Sequence, residues 1–160
     1  VAEKITIQTG QGPITLRLGG TVDRIDAKDT TLRIVDYKTG GSPKTPANIE
    51  QLFTPSESRP NYIFQTFLYA AIMSRQQSLK VAPSLLYIHR AASESYSPVI
   101  EMGEPRQPKI PVSNFAFFED EFREHLQRLL EEIFDKNEPF TQTEDTKKCA
   151  YCDFKAICKR

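Results

Sequence analysis

The stretch GTVDRIDAKDTTLRIVDYKTG, Gly20 to Gly40, decides the fold that the sequence predicts. Residues 21–27 and 32–38 are predicted strands on either side of the turn cluster Lys28-Asp29-Thr30, an arrangement typical of an antiparallel hairpin. A turn centred between residues 29 and 30 places Asp23 directly opposite Asp36. Directly opposed side chains share one face of a sheet, with Cβ atoms about 4.5–5.5 Å apart. The hairpin therefore brings two carboxylates together.

Two facing carboxylates repel each other unless a cation lies between them. Mg²⁺ binds carboxylate oxygens at about 2.0–2.1 Å, so one ion can bridge Asp23 and Asp36. Lys38 lies on the same face, because side chains in a strand alternate with a period of two. The side chain of Tyr37 points away, but its backbone carbonyl can reach the ion. We therefore predict a metal site made of Asp23, Asp36 and the Tyr37 carbonyl.

This set of groups suits the metal-assisted hydrolysis of a phosphodiester. A bound metal lowers the pKa of a water molecule, and Lys38 can stabilise the charge that develops on the phosphoryl group. The plainer interpretation is an exposed Asp36–Lys38 ion pair worth under about 1 kcal/mol, since a D-x-K sequence often occurs by chance. Asp26 has Arg33 as its predicted partner, so we assign it a structural role.

The rest of the chain alternates strand and helix signals, and the fold class is predicted to be α/β (α+β). Two earlier alternating runs and the two strands of the hairpin predict an antiparallel meander. A long connection rich in Gly, Pro, Ser and Thr precedes the first apolar helical pattern. The segments are strands at 5–7 and 14–18, the connection 40–60, a helix from Asn61, a strand at 85–89, a loop at 91–111, and a helix from Ser113 or Asn114 to about Asn137.

Composition places the chain among globular domains of ordinary size. It has 160 residues, 39% of them apolar and 26% charged, with 21 basic and 21 acidic side chains. This neutral balance disfavours a passive nucleic-acid-binding module, which usually carries a basic excess. No apolar run approaches the roughly 20 residues that cross a bilayer, so no membrane partner is predicted. The three cysteines do not form a disulfide framework, and we predict a cytoplasmic protein.

The motifs GTVDRID (20–26) and IVDYKTG (34–40) resemble the RecB/AddB branch of the PD-(D/E)XK nucleases. This resemblance implies that Asp23 and Asp36 hold Mg²⁺ or Mn²⁺ and that Lys38 is the catalytic lysine. It implies a restriction-endonuclease-like core, a mixed β-sheet flanked by helices. It also implies DNA as substrate, exonuclease rather than endonuclease activity, a role in DNA repair or recombination, and a helicase domain or subunit as partner.

The first helical segment adds a second motif, QTFLY, in which Gln65 and Tyr69 lie four residues apart and share a helix face. The same family has a Q-x-x-x-Y motif at this place. The resemblance implies that both side chains line the site and contact a phosphate or a base of the substrate. The alternative is that Tyr69 is a core aromatic residue and Gln65 is solvated.

Cys149, Cys152 and Cys158 have the spacing C-x2-C-x5-C. The tail resembles the C-terminal triplet of AddB-type nucleases and related CRISPR-adaptation exonucleases, which implies a [4Fe–4S] cluster whose fourth cysteine lies far upstream. That cysteine is absent here, as is the helix-borne His or Glu of the family's metal site. We therefore expect a fragment that lacks the upstream part, holds no complete cluster and cuts DNA weakly alone. Residues 1–140 are assigned to the nuclease core and 141–160 to its cysteine tail.

Two other functions remain open from the sequence. A catalytically inactive domain of the same fold could bind DNA or act as a scaffold, although the intact Asp23, Asp36 and Lys38 set favours the nuclease. The tail could instead belong to a zinc-binding interaction module completed by a partner, or its thiols could have no ligand.

Overall fold

The computed structural model describes residues 1–139, 141–144 and 146–159. It opens with a hairpin of β1 (Ala2–Thr9) and β2 (Gly12–Gly19), in which apolar residues face one another across the strands. Ile5 pairs with Leu16 and Ile7 pairs with Ile14, so one face of the hairpin is apolar, as the alternation predicts. Ile7 is fully buried in the core of the protein.

The second hairpin consists of β3 (Arg24–Lys28) and β4 (Thr31–Lys38), and its register is the one predicted, with Asp26 opposite Arg33. A third strand, β5 (Lys80–Tyr87), pairs with β4 in parallel and completes a sheet of order β3-β4-β5. The central strand β4 is buried on both faces from Ile34 to Asp36. The structure is thus the mixed α/β fold with antiparallel and parallel pairing that the sequence predicts.

The pairing of the first four strands differs in one respect from a continuous meander. Within the described part of the chain, β1 and β2 form their own two-stranded sheet and are not hydrogen-bonded to β3. Residues 20–23, which separate the two hairpins, form no strand. The alternation of side chains specifies the strands and the faces that they bury, but not which non-sequential neighbours pair.

The connection from β4 to β5 carries two helices, α1 (Glu50–Phe53) and α2 (Asn61–Ser74). The long loop was predicted without α1, a single turn that buries Leu52 in the core. Seven residues of α2 are buried, because this helix packs against β4 and β5 and also against the long helix α3 (Ala116–Ile133). The crossover therefore places α2 directly over the carboxyl end of β4.

The second half begins with a 3₁₀ turn at Ile88–Arg90, followed by the short strands β6 (Glu101–Met102) and β7 (Ile110–Pro111) in a segment predicted as loop. The long helix α3 (Ala116–Ile133) follows, with the Asn114 carboxamide oxygen accepting the Ala116 N–H. The described part of the tail contains two single turns, α4 (Thr146–Cys149) and α5 (Lys155–Cys158).

The core between α2, α3 and the sheet is rich in aromatic side chains. Phe67, Phe115 and Phe122 are fully buried, with ring centroids 5.3–5.9 Å apart. Rings at such separations contribute about 0.5–1.5 kcal/mol per pair beyond their buried area. His125 stacks on Phe53, so it is a packing residue. No helix among the described residues is long and apolar enough to cross a membrane.

Candidate active site

Asp36 is the buried carboxylate at the centre of the site. It is only 3% exposed, because β4 lies between β3 and β5 with α2 above it. Burial raises the pKa of the Asp36 carboxyl, neighbouring Lys38 lowers it, and the charge of Asp23 raises it. The net shift is upward, so the carboxylate is costly to hold in its charged form unless a cation compensates it.

One oxygen of Asp36 is poorly satisfied. Its Oδ2 lies 2.5 Å from the Nζ of Lys38, an ion pair whose angles fall outside those of a hydrogen bond. Oδ2 has no hydrogen-bond partner among the described residues. A buried oxygen in this state is rare in folded proteins and points to a missing ligand.

Asp23 lies immediately before β3, and the register of the ladder places it across from Asp36. Its Oδ2 accepts the backbone N–H of Tyr37 at 2.8 Å, which fixes the carboxylate against β4. The phenol of Tyr37 is 37% exposed and lies on the other face of the sheet, because side chains in a strand alternate, so only its backbone faces Asp23.

The donor set fits a hard divalent cation that keeps part of its water shell. The described residues contain no group of three or more His, Cys, Asp or Glu that could enclose an ion. Mg²⁺, however, is usually held by one or two carboxylates, with waters and substrate phosphates completing its octahedron. Asp23 and Asp36 match that pattern, and the Oδ2 atom of Asp36, which accepts no hydrogen bond among the described residues, would supply a ligand.

Lys38 is the last residue of β4, and its ammonium group has three neighbours. Nζ contacts Asp36, donates a hydrogen bond to Gln65 Oε1 at 3.0 Å, and lies 4.2 Å from the centroid of the Tyr62 ring. The side chain is only 14% exposed. These contacts hold the charge beside Asp36, pointing away from bulk solvent.

Gln65 and Tyr69 share a face of α2, as their spacing predicts. Together with Lys38 they form a chain of hydrogen bonds. Gln65 Nε2 donates to the Tyr69 hydroxyl at 3.0 Å. Tyr69 is 6% exposed and packs against Gly20, where a Cβ would lie 2.7 Å from the hydroxyl oxygen. The ring of Tyr69 is therefore a core aromatic residue, as the alternative interpretation had it. Its hydroxyl is nevertheless hydrogen-bonded to Gln65, which contacts Lys38. The first glycine of the hairpin motif makes room for this contact.

Two further residues of the site were not identified from the sequence. Tyr62 precedes Gln65 by three residues on α2, so helical spacing could have found it. Tyr87 pairs with Lys38 across the parallel ladder, a relation that requires the register of β5. Burial raises the pKa of the Tyr87 phenol, and the nearby charges of Tyr62, Tyr96 and Asp36 raise it further.

The cysteine tail lies apart from these residues. Cys149, Cys152 and Cys158 are half-buried free thiols that line one cavity of about 150 Å³. In the described arrangement they are not positioned as a group of three metal ligands. An ion pair between Lys147 and Glu57, 2.9 Å long, attaches the tail to the loop before α2.

The family model of the PD-(D/E)XK nuclease superfamily matches residues 1–159 of the chain. No curated protein and no solved structure matches it. The match covers Asp23, the strand that carries Asp36 and Lys38, the helix that carries Gln65 and Tyr69, and the cysteine tail. The chain belongs to the PD-(D/E)XK nuclease superfamily.

Proposed function

We propose that the protein is a divalent-metal-dependent deoxyribonuclease that hydrolyses phosphodiester bonds, with Asp23, Asp36 and Lys38 as its catalytic residues. Membership of the superfamily supplies the nuclease activity. The observation that carries the choice of residues is the buried Asp36, whose Oδ2 lacks a hydrogen bond and lies 2.5 Å from Lys38 Nζ. A solvated surface ion pair would not leave such an atom buried.

Asp23 and Asp36 are the residues that would hold Mg²⁺ or Mn²⁺, with the Tyr37 carbonyl as a further ligand. When bound, the metal supplies a water of lowered pKa and polarises the phosphoryl oxygen. The raised pKa of Asp36 supports this assignment, because a cation compensates the charge that burial makes costly.

Lys38 has the task of stabilising negative charge on the phosphoryl group in the transition state. An ammonium that is held in place before the reaction costs no reorganisation when the charge develops. Gln65 and Tyr62 hold the Lys38 ammonium in place, through a hydrogen bond of 3.0 Å and a ring contact of 4.2 Å. Gln65 is also close enough to the ammonium to reach a phosphate oxygen beside it.

The resemblance of the hairpin and tail motifs supports a finer assignment. We place the protein in the RecB/AddB branch, as an exonuclease acting in DNA repair or recombination with a helicase domain or partner subunit. In this proposal Cys149, Cys152 and Cys158 are ligands of a [4Fe–4S] cluster. The sequence contains three cysteines, so a fourth thiolate has to come from outside these 160 residues. Their shared cavity supports the idea that they act together.

A cleavage assay tests the proposal. The protein is incubated with linear single-stranded, linear double-stranded and closed circular DNA, in Mg²⁺, in Mn²⁺ and in EDTA. We expect weak cleavage of linear DNA in either metal and none in EDTA, with circular DNA spared because an exonuclease needs an end. Cleavage that persists in EDTA, or the absence of cleavage in both metals, refutes the metal-dependent nuclease. Cutting of circular DNA refutes only the exonuclease assignment.

A further inference from the structure

A cavity of about 240 Å³ is lined by Tyr62, the residue whose ring contacts the catalytic Lys38. Tyr62 forms the boundary, because its ring contacts Lys38 Nζ on the catalytic side and also lines this cavity. The ring is 41% exposed, so part of it is free to contact another molecule. The opposite wall includes Gly41 and Ser42, which follow β4, and the cavity reaches the buried Tyr87.

The cavity continues into a larger one of about 500 Å³, with which it shares Lys44, Ile63 and Tyr87. The two cavities therefore adjoin, and together they make a groove that extends from the Tyr62 ring towards the 3₁₀ turn at Ile88–Arg90. His89, Arg90 and Tyr96 line its far end. The groove combines aromatic rings with cationic side chains along one path.

The charges along the groove favour an anion. Lys44 and Arg90 form no ion pair with a carboxylate among the described residues, and Glu101 is the acidic residue that lines the groove. Lys44 donates to the carbonyl oxygens of Ser58 and Arg59, which leaves its positive charge uncompensated. The first turn of α2 opens into the same space without an acidic residue or a side-chain cap. The amino-terminal end of a helix dipole adds positive potential there.

We propose that this groove is a nucleotide subsite, in which the base next to the scissile phosphate leaves its stack and inserts beside Tyr62 while the strand continues past Lys44 towards Arg90. The inference rests on the proposed function, since it needs a nucleic-acid strand at Lys38. A volume of 240 Å³ corresponds to on the order of eight water molecules, which accommodates one planar base. Aromatic rings beside a cationic groove are the usual platform for unpaired strands. A paired base cannot enter, so the subsite selects a substrate that is unpaired at this position.

The test is a binding measurement without metal, so that it does not depend on cleavage. Fluorescence anisotropy in EDTA compares a thymidine homopolymer with an abasic sugar-phosphate strand of the same length and charge. Wild-type protein is expected to bind the base-bearing strand about 5- to 150-fold more tightly, the range that base–aromatic stacking gives. Hybridising the homopolymer to its complement should remove the advantage.

Substitutions in the cavity test whether the base preference arises there. Ser42→Trp fills the cavity without replacing Asp36, Gln65 or Tyr62, the three residues that contact Lys38. It should bind the two strands equally, while retaining their common, salt-dependent affinity. Tyr62→Ala removes the ring and should have the same result, so the test stands if one variant fails to fold. Arg128→Ala is the matched control for general effects, since Arg128 pairs with Glu124 on the exposed face of α3. It should keep the full base preference.

The outcomes separate this inference from the proposed function. Equal binding of both strands by the wild type, no binding of either strand, or an unchanged base preference in both Ser42→Trp and Tyr62→Ala overturns the subsite. If these variants lose the base preference, the subsite is supported, even where the protein does not cleave DNA in Mg²⁺. The absence of cleavage would refute only the proposed nuclease activity. Cleavage without any base preference refutes the subsite and leaves the nuclease intact.

Discussion

Lys38 donates a hydrogen bond from Nζ to Oε1 of Gln65 over 3.0 Å, and this bond joins the end of β4 to the middle of α2. The amide of Gln65 is oriented in turn by its own hydrogen bond to Tyr69. The helix therefore fixes the direction of the lysine ammonium. Because Asp36 contacts the same ammonium, the strand and the helix together determine where the charge lies.

Replacing Gln65 by alanine should release Lys38 while leaving the fold intact. Hydrogen bonds to charged groups contribute about 1.5–3 kcal/mol, so kcat should fall about 10- to 100-fold. Steady-state kinetics on a DNA substrate give the measurement. The control is Gln127→Ala, because Gln127 also bonds through its amide, to Glu131 on α3. An unchanged kcat in Gln65→Ala would show that the lysine needs no such support.

Gly20→Ala should destabilise the protein, because the new Cβ would lie 2.7 Å from the Tyr69 hydroxyl and 2.8 Å from its ring. Over-packing of this kind costs about 1–3 kcal/mol. Chemical denaturation measures the free energy of unfolding. Gly10→Ala is the matched control, since nothing lies within 4 Å of a Cβ there, and it should change stability by less than about 0.5 kcal/mol. Equal effects of both substitutions would refute the close contact.

The parts of the site that the sequence predicts depend on local geometry. The turn at Asp29 sets the register of the hairpin, and Asp29 has a positive φ of 54°, as such a tight turn requires. The opposition of Asp26 and Arg33 follows from that turn alone. In the same way, the four-residue spacing of Gln65 and Tyr69 is sufficient to place them on one helix face.

The remaining features depend on contacts between distant parts of the chain. The parallel pairing that brings Tyr87 beside Lys38 forms across a connection of more than forty residues, which no local pattern encodes. The contact of Gly20 with Tyr69 has the same origin. The short strands β6 and β7 were missed because two residues are too few to show alternation.

Asp36→Asn should change the pH dependence of stability in EDTA. The folded pKa of Asp36 is raised above 3.8, so the folded protein binds more protons than the unfolded chain between 3.8 and the raised value. The wild type therefore loses stability as the pH rises through that window. Asparagine does not titrate, so the stability of the variant relative to the wild type should increase through the window and level off above it. Urea unfolding at a series of pH values measures this difference.

Asp26→Asn provides the control of opposite sign. Arg33 lowers the pKa of Asp26, so its contribution to stability is present above 3.8 and is lost as the pH falls through the lowered value. The Asp26 variant should be less stable than the wild type at neutral pH and equal to it in strong acid. If both variants show the same trend, the burial of Asp36 is not the cause of its shift.

Metal analysis of the protein purified without oxygen tests the assignment of the tail. We expect iron, with the broad visible absorption of an iron–sulfur cluster, whenever a fourth thiolate is supplied. Cys152→Ser should lose the iron, because the cluster depends on each thiolate ligand. Ser93→Ala, far from the tail, serves as the control. Stoichiometric zinc with no iron would identify a zinc site instead.

The rate of a single turnover by Lys38→Ala at saturating Mg²⁺ is the most direct test of the catalytic site. Removing one preorganised charge-stabilising group costs about 2.7–4 kcal/mol, so the rate should fall about 100- to 1,000-fold. The variant should remain folded and should still bind the metal through Asp23 and Asp36. This combination of retained metal binding and lost cleavage is the predicted result. A Lys38→Ala protein that cuts DNA at the wild-type rate would contradict the account.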